Sequence, residues 1–333
     1  MAYALGKLPA RLGAIKLLFA KYVDYSRLPA TPNEFGHDQP QPAWGMLAND
    51  RWGCCVWSGF AHQTMLWRKN ANLAPASFGD AQVLSDYSAA TGFAFSKATD
   101  SGTDMQSAAG YWRGTGILDA AGNRHRIRAY LGIGAGDIEG LLAGAHLFGS
   151  AGVGVNFPAG AMGQFDANEP WTLVIGSAIL GGHYVPLVAR RGGASICVSW
   201  GREQAATDPW LNQYNDEGVV CLSEEFLRGG RSLDGFDLDQ LDYDLAVLEG
   251  TAQPRSQVSM SQDPKMAAAK LAAATAAATK ELGSLFPQWE INLVPNLAQN
   301  MQLVVAAALT ASDEVEANWP AQNPAPPAPK PGA

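Results

Sequence analysis

The chain has 333 residues, 23 basic and 31 acidic, for a formal charge of −8, with a hydrophobic share of 47%. That composition supports a sizeable core, and the length allows two domains or one large domain with an appendage. The acidic balance, with no run of lysine and arginine, points away from nucleic acid. Apolar runs fall short of the roughly 18–20 residues of a membrane helix, so no membrane span is expected.

The N-terminal 25 residues carry Lys16 and Lys21 within their apolar runs and do not read as a signal peptide, so secretion by that route is not expected. Four cysteines, Cys54, Cys55, Cys197 and Cys221, make no disulfide framework. With no C-x-x-C or H-x-x-x-H pair, neither a metal nor a cofactor is expected. Gly132, Gly134 and Gly136 do not complete a dinucleotide-binding glycine pattern.

In chain order, residues 1–44 form a Pro-rich, irregular N-terminal arm. A helix starts near Cys55 and runs through VWSGFAHQTMLWRKN, a second covers about 80–90, and a third about 104–113. The pattern then changes. Residues 124–131 alternate as a strand does, 138–148 have helical spacing, and 152–157 form a short strand. HYVPLVARR and ASICVSWG read as antiparallel strands joined at Gly192-Gly193, and 217–223 as another strand. FDLDQLDYDLAVL reads as an amphipathic helix with Phe236, Leu238, Leu241, Leu245 and Leu248 inward and its aspartates solvated. Helices first and a mostly antiparallel sheet second is an α+β layout.

Composition changes near residue 250. Residues 251–264 are linker-like, nine of the fifteen residues 266–280 are Ala, and six prolines lie between Pro320 and Pro331. The expected form is an Ala-rich helix and a polyproline-like end. Small side chains give a lone helix little area to bury, so this extension is expected to meet other protein subunits.

Asn49-Asp-Arg-Trp-Gly53-Cys54-Cys55 precedes the first helix. A thiol at a helix N-terminus feels the positive end of the macrodipole, which favours the thiolate. The Asn49 amide, six residues upstream, is placed to donate to an oxyanion beside the Cys55 N–H. His183 leads a strand 128 residues later, a separation typical of a Cys–His nucleophile pair. The competing reading is a buried thiol and a histidine that opens a strand by chance. His62, two turns along the Cys55 helix, reads as packing.

These segments resemble papain-like cysteine peptidases. Asn49 to Trp57 is similar to the nucleophile segment of that family, with Asn in place of its Gln. His183, the strand YVPLV, a glycine turn, a second strand and Ser199-Trp200-Gly201 follow in the family's order. The likeness covers roughly 45–225 and extends to uncharacterised phage and prophage proteins. It implies a helical subdomain plus an antiparallel sheet over 45–250, with Cys55 as nucleophile, His183 as base, Asn49 at the oxyanion and a peptide or isopeptide substrate. It also implies a place in a virion or in host cytoplasm. Two departures stand out. The third triad position is Val198 or Ser199 according to the anchor, neither being Asn or Asp, and Cys54 sits beside Cys55. The alternative function is therefore a catalytically idle papain-like fold serving as a structural component of a particle.

Overall fold

In the computed structural model, the described residues are 3–11, 13–23, 31–39, 43–227 and 238–252. The chain divides after Glu249, and the expectations for the extension, 251–333, lie almost wholly outside the described residues. So does Phe236 of the expected amphipathic helix.

The elements run β1 Phe35–Gly36, α1 Cys55–Asn70, α2 Asp80–Thr91, α3 Met105–Gly114, β2 Ile117–Leu118, β3 Arg124–His125, β4 Ile127–Ile133, α4 Ile138–Phe148, β5 Ala151–Pro158, α5 Ala159–Asp166, β6 Ile179–Arg191, β7 Ala194–Ser199, β8 Arg202–Thr207, α6 Asp208–Tyr214, β9 Asn215–Ser223, α7 Glu224–Leu227 and α8 Leu238–Leu248. One antiparallel sheet takes the order β4-β9-β5-β6-β7-β8, with β1 added on β6. The α+β arrangement of helices followed by an antiparallel sheet is thus present.

The expected helices at 55–70, 80–90, 104–113 and 138–148 form with shifts of a residue or so at their ends. The stretch 124–131 is two strands, not one. Arg124–His125 pairs with Ile117–Leu118 in a separate ribbon, and only Ile127 onward joins the main sheet against β9. Strand β6 begins at Ile179 rather than His183, because its first residues pair with Phe157 and Pro158 at the end of β5. Elements β8, α5 and α6 carry weak sequence periodicity and form through sheet pairing and core contacts. Trp210 of α6, for example, stacks on Trp171 at 4.7 Å.

Alternation along β9 divides the core. Val219 and Cys221 face a cluster built from α1, α2 and α3, whereas Val220 and Leu222 face a second cluster with Leu141 and Phe148 of α4. Helix α1 is central, with both polar and apolar side chains buried along most of its length. It is tied to β6 by a relay in which Tyr184 donates to Gln63 at 2.7 Å and Gln63 donates to Ser150 at 3.2 Å. Gly59 makes the close approach possible, since a Cβ there would lie 2.4 Å from the Tyr184 ring. Helix α8 buries Leu241 and Leu245, but Leu248 is 58% exposed, so the inward face stops one turn early. Its Asp244 is paired rather than solvated, accepting from Lys21 and Tyr22.

Candidate active site

Cys55 opens α1 and is buried. Cys54 is the N-cap residue and turns away, its sulfur 3.6 Å from both the Leu47 carbonyl oxygen and the Ser58 hydroxyl. The two thiols therefore differ in surroundings, and only Cys55 lines a cavity that also holds Asn49, His183, Ser199 and Trp200. The structure brings all four sequence-selected residues, Cys55, His183, Asn49 and Ser199, to that one place. The cavity is about 10 Å³, at or below what one water molecule needs.

His183 sits on β6 and shares a 2.8 Å hydrogen bond between Nε2 and the Ser199 hydroxyl at the end of β7. Its ring lies flat on Trp200, centroids 4.3 Å apart, with Phe157 edge-on at 5.5 Å. Nδ1 is buried and has no hydrogen-bond partner. Of the two residues open at the third position, Ser199 makes the contact. Burial lowers the His183 pKa to about 3, so the ring is neutral at ordinary pH. The tautomer that donates Nε2–H to Ser199 leaves the lone pair on Nδ1. Burial also pushes the Cys55 thiol up, against the N–H groups of Tyr184 and Gly6, the charge of Lys7 and the N–H of Val56. The resting pair is a thiol and an imidazole, not a thiolate and an imidazolium. Here desolvation outweighs the helix-terminus effect expected from sequence.

Asn49 is aimed by a tight turn in which Leu47 and Ala48 hold φ of 54° and 64°. Such conformations cost non-glycine residues on the order of 1–2 kcal/mol each. Its Nδ2 donates to the Trp52 carbonyl at 3.1 Å and to the Ala4 carbonyl at 3.2 Å. Trp200 also adopts positive φ, 44°, and its Nε1 donates to the same Ala4 oxygen at 3.4 Å.

That Ala4 is present exposes what the sequence did not reveal. Residues 3–8 of the N-terminal arm cross the cleft as an extended strap. Ala4 N–H donates to the Asn49 carbonyl, Gly6 and Lys7 N–H to Gly182, Leu8 N–H to Thr103, and Thr103 N–H back to Gly6. Tyr3 stacks on Trp200 at 4.7 Å. The strap lies so close that a Cβ on Gly6 would fall 1.9 Å from the Gly53 carbonyl oxygen. One on Gly182 would fall 2.1 Å from Lys7 O, and one on Gly102 2.3 Å from Gly6 O. Backbone pairing of this kind leaves no periodicity in the paired sequence. The available signal was the set of glycines at 6, 53, 102 and 182.

His62 bonds the Trp44 and Gly45 carbonyls through Nε2 at 2.8 and 3.1 Å and serves packing, although it too borders the cavity. Among the described residues there is no cluster of metal-ligating side chains and no helix long and apolar enough to cross a membrane.

No protein-family model matches the chain, and no curated protein matches it either. Solved structures resemble it. Xylellain, a cysteine protease from Xylella fastidiosa, is 13% identical with a TM-score of 0.48, over 66% of this chain and 96% of its own. A procathepsin B from Trypanosoma congolense is 12% identical with a TM-score of 0.49, over 66% and 87%. A cysteine protease of Carica candamarcensis is 11% identical with a TM-score of 0.41, over 58% and 99%.

Proposed function

We propose that the chain is a papain-like cysteine hydrolase acting on peptide or isopeptide bonds, with Cys55 as nucleophile and His183 as base. One observation carries this reading. The backbone of a peptide segment already runs beside the turn that leads into Cys55, with Gly6 against the Gly53 carbonyl, its N–H on the Gly182 carbonyl, and the Ala4 carbonyl held by Asn49 and Trp200. A substrate strand that replaces the strap meets the same donors. The Cys55 proton passes to His183 Nδ1 as the sulfur adds to the acyl carbonyl, and the oxyanion is held by Asn49 Nδ2 and backbone N–H groups. The imidazolium then returns the proton to the leaving amine, and water resolves the thioester.

Ser199 favours a second reading, the catalytically idle fold. A hydroxyl orients the imidazole, but stabilises its cationic form less than a carboxylate does. A role for either form in a phage particle, and contact with other subunits through 251–333, rest on the sequence alone.

The test is labelling of the full-length protein with a peptidyl acyl electrophile. Cys55→Ala should abolish labelling, Cys54→Ala should retain most of it, and His183→Ala should slow it at least tenfold. A rate untouched by His183→Ala favours the idle fold, and labelling confined to Cys54 removes Cys55 as nucleophile.

A further inference from the structure

Next to the reacting cysteine, the strap inserts one long side chain into the body of the protein. Lys7 follows Gly6, which packs against Gly53 two residues before Cys55, and its side chain is 0% exposed. Its ammonium lies 2.8 Å from Asp216 Oδ2 and 3.0 Å from Glu217 Oε1, and donates to Leu8 O at 2.9 Å.

Three features set this pocket apart from an ordinary buried ion pair. Successive residues of a strand point to opposite faces, yet Asp216 and Glu217 both reach the one ammonium. A break in register between β5 and β9 does this: Gly154 pairs with Glu217 and Val155 with Asn215, leaving Asp216 as the extra residue of a bulge. The wall opposite is Gly154, whose φ does not require glycine, but where a Cβ would lie 2.3 Å from Lys7 Cε and 2.8 Å from Met105 Sδ. Glycine there keeps room for a long side chain. Two carboxylates also serve one ammonium, and Asp216 Oδ1 is buried without a hydrogen bond. The pocket holds more acceptors than its present occupant fills.

We propose that the pocket of Gly154, Met105, Asp216 and Glu217 recognises a lysine or arginine side chain of the peptide strand that occupies the cleft, with Lys7 as its resident stand-in. The inference rests on the hydrolase reading for its substrate, because it assigns the residue next to the one packed against Gly53, two before Cys55. The binding chemistry holds whether or not the cysteine reacts. Specificity follows from asymmetry: a neutral side chain leaves two partly buried carboxylates uncompensated, whereas a cation of either kind pairs with them.

Two measurements test it. In the full-length chain, the rate of Cys55 alkylation by iodoacetamide reports strap departure. Lys7→Met should raise it at least tenfold, as should Asp216→Asn with Glu217→Gln, whereas Lys7→Arg should leave it near the native rate. Equal rates for Lys7→Met and the native chain overturn the proposal. In the second, a chain carrying Gly6→Leu, Lys7→Ala and Cys55→Ala is titrated with a fluorescent peptide Tyr-Ala-Leu-Gly-Lys-Leu and with its Lys→Met counterpart. At least tenfold tighter binding of the lysine peptide, lost on Asp216→Asn with Glu217→Gln, is expected. Equal affinity, or no binding by either on a folded chain, overturns the proposal. Should Cys55 fail to acylate while the charge preference persists, the hydrolase reading fails and the recognition pocket stands.

Discussion

At the scale of single residues, burial controls the ionisation of the site. His183 and His62 are held neutral, with pKa values lowered to about 3 and about 4 by desolvation. Their ordinary value is near 6.5, so the unfolded chain binds these protons first. Stability is therefore full above about pH 6.5 and is lost as pH falls through 6.5 toward the folded values. For His62 the loss is on the order of 3 kcal/mol. His125 has the opposite sign. Burial disfavours its charged form, but hydrogen bonds to Glu225 and Asp119 outweigh this and raise its pKa, so its contribution is full in acid and lost as pH rises through that raised value. The His125 contribution is already full below pH 6.5, so the two lowered histidines set the trend, and a fall in unfolding free energy is expected between pH 6.5 and 4. Chemical denaturation across that range checks it, and His62→Gln should make the slope shallower. A slope unchanged by His62→Gln contradicts the assignment. The adjacent thiols separate in the same terms: Cys54 packs against Ser58 and Leu47, whereas Cys55 faces the strap and the cavity.

Among the elements, the approach of α1 to β6 matters most, because it brings Cys55 and His183 to the same cavity. It depends on Gly59 lying under the Tyr184 ring. Gly59→Val would overpack this contact. A loss of about 1–3 kcal/mol is expected for inserted methyl groups in a packed core, together with slower acyl-electrophile labelling of Cys55, since the helix must move away from the strand. Unchanged stability and labelling would mean that the two elements can separate without disturbing the site. The strap is the second decisive element. Gly6→Leu places side-chain atoms where the Gly53 carbonyl already sits and should displace residues 3–8, with Cys55 alkylation rising at least tenfold and amide exchange at Gly6 and Lys7 losing protection. Persistence of the native alkylation rate would show that access to Cys55 does not depend on the strap.

For the whole molecule, the boundary after Glu249 makes a definite expectation. Helix α8 belongs with the body of the protein: Arg128 pairs with Asp242 and Arg113 with Glu249, and Leu241 and Leu245 are buried. A chain ending at residue 250 keeps all of these contacts. It should unfold cooperatively with a melting temperature within a few degrees of the full chain. The Ala-rich and Pro-rich character of 251–333 predicts that its removal abolishes higher-order association, measured by sedimentation velocity. Unfolding of the truncated chain would make the extension part of the core, and unchanged association would make it an appendage without that role.

The sequence by itself determined the order of helices and strands, because 3.6-residue and 2-residue periodicities are local properties written in neighbouring side chains. It also singled out Asn49, Cys55 and His183 through spacing to a helix start and a strand start, and left the third position open between Val198 and Ser199. It did not determine that 124–131 divides between two sheets, nor that β8, α5 and α6 exist, since those depend on which strand lies alongside. Tertiary structure alone decided that the third position is Ser199, because only the β6–β7 register sets its hydroxyl against His183 Nε2. It alone decided the neutral state of the pair, as desolvation depends on everything packed around a group. The strap was invisible for a further reason. It is held by backbone hydrogen bonds to residues 49, 103 and 182, and the backbone is the one part of a chain that every sequence shares.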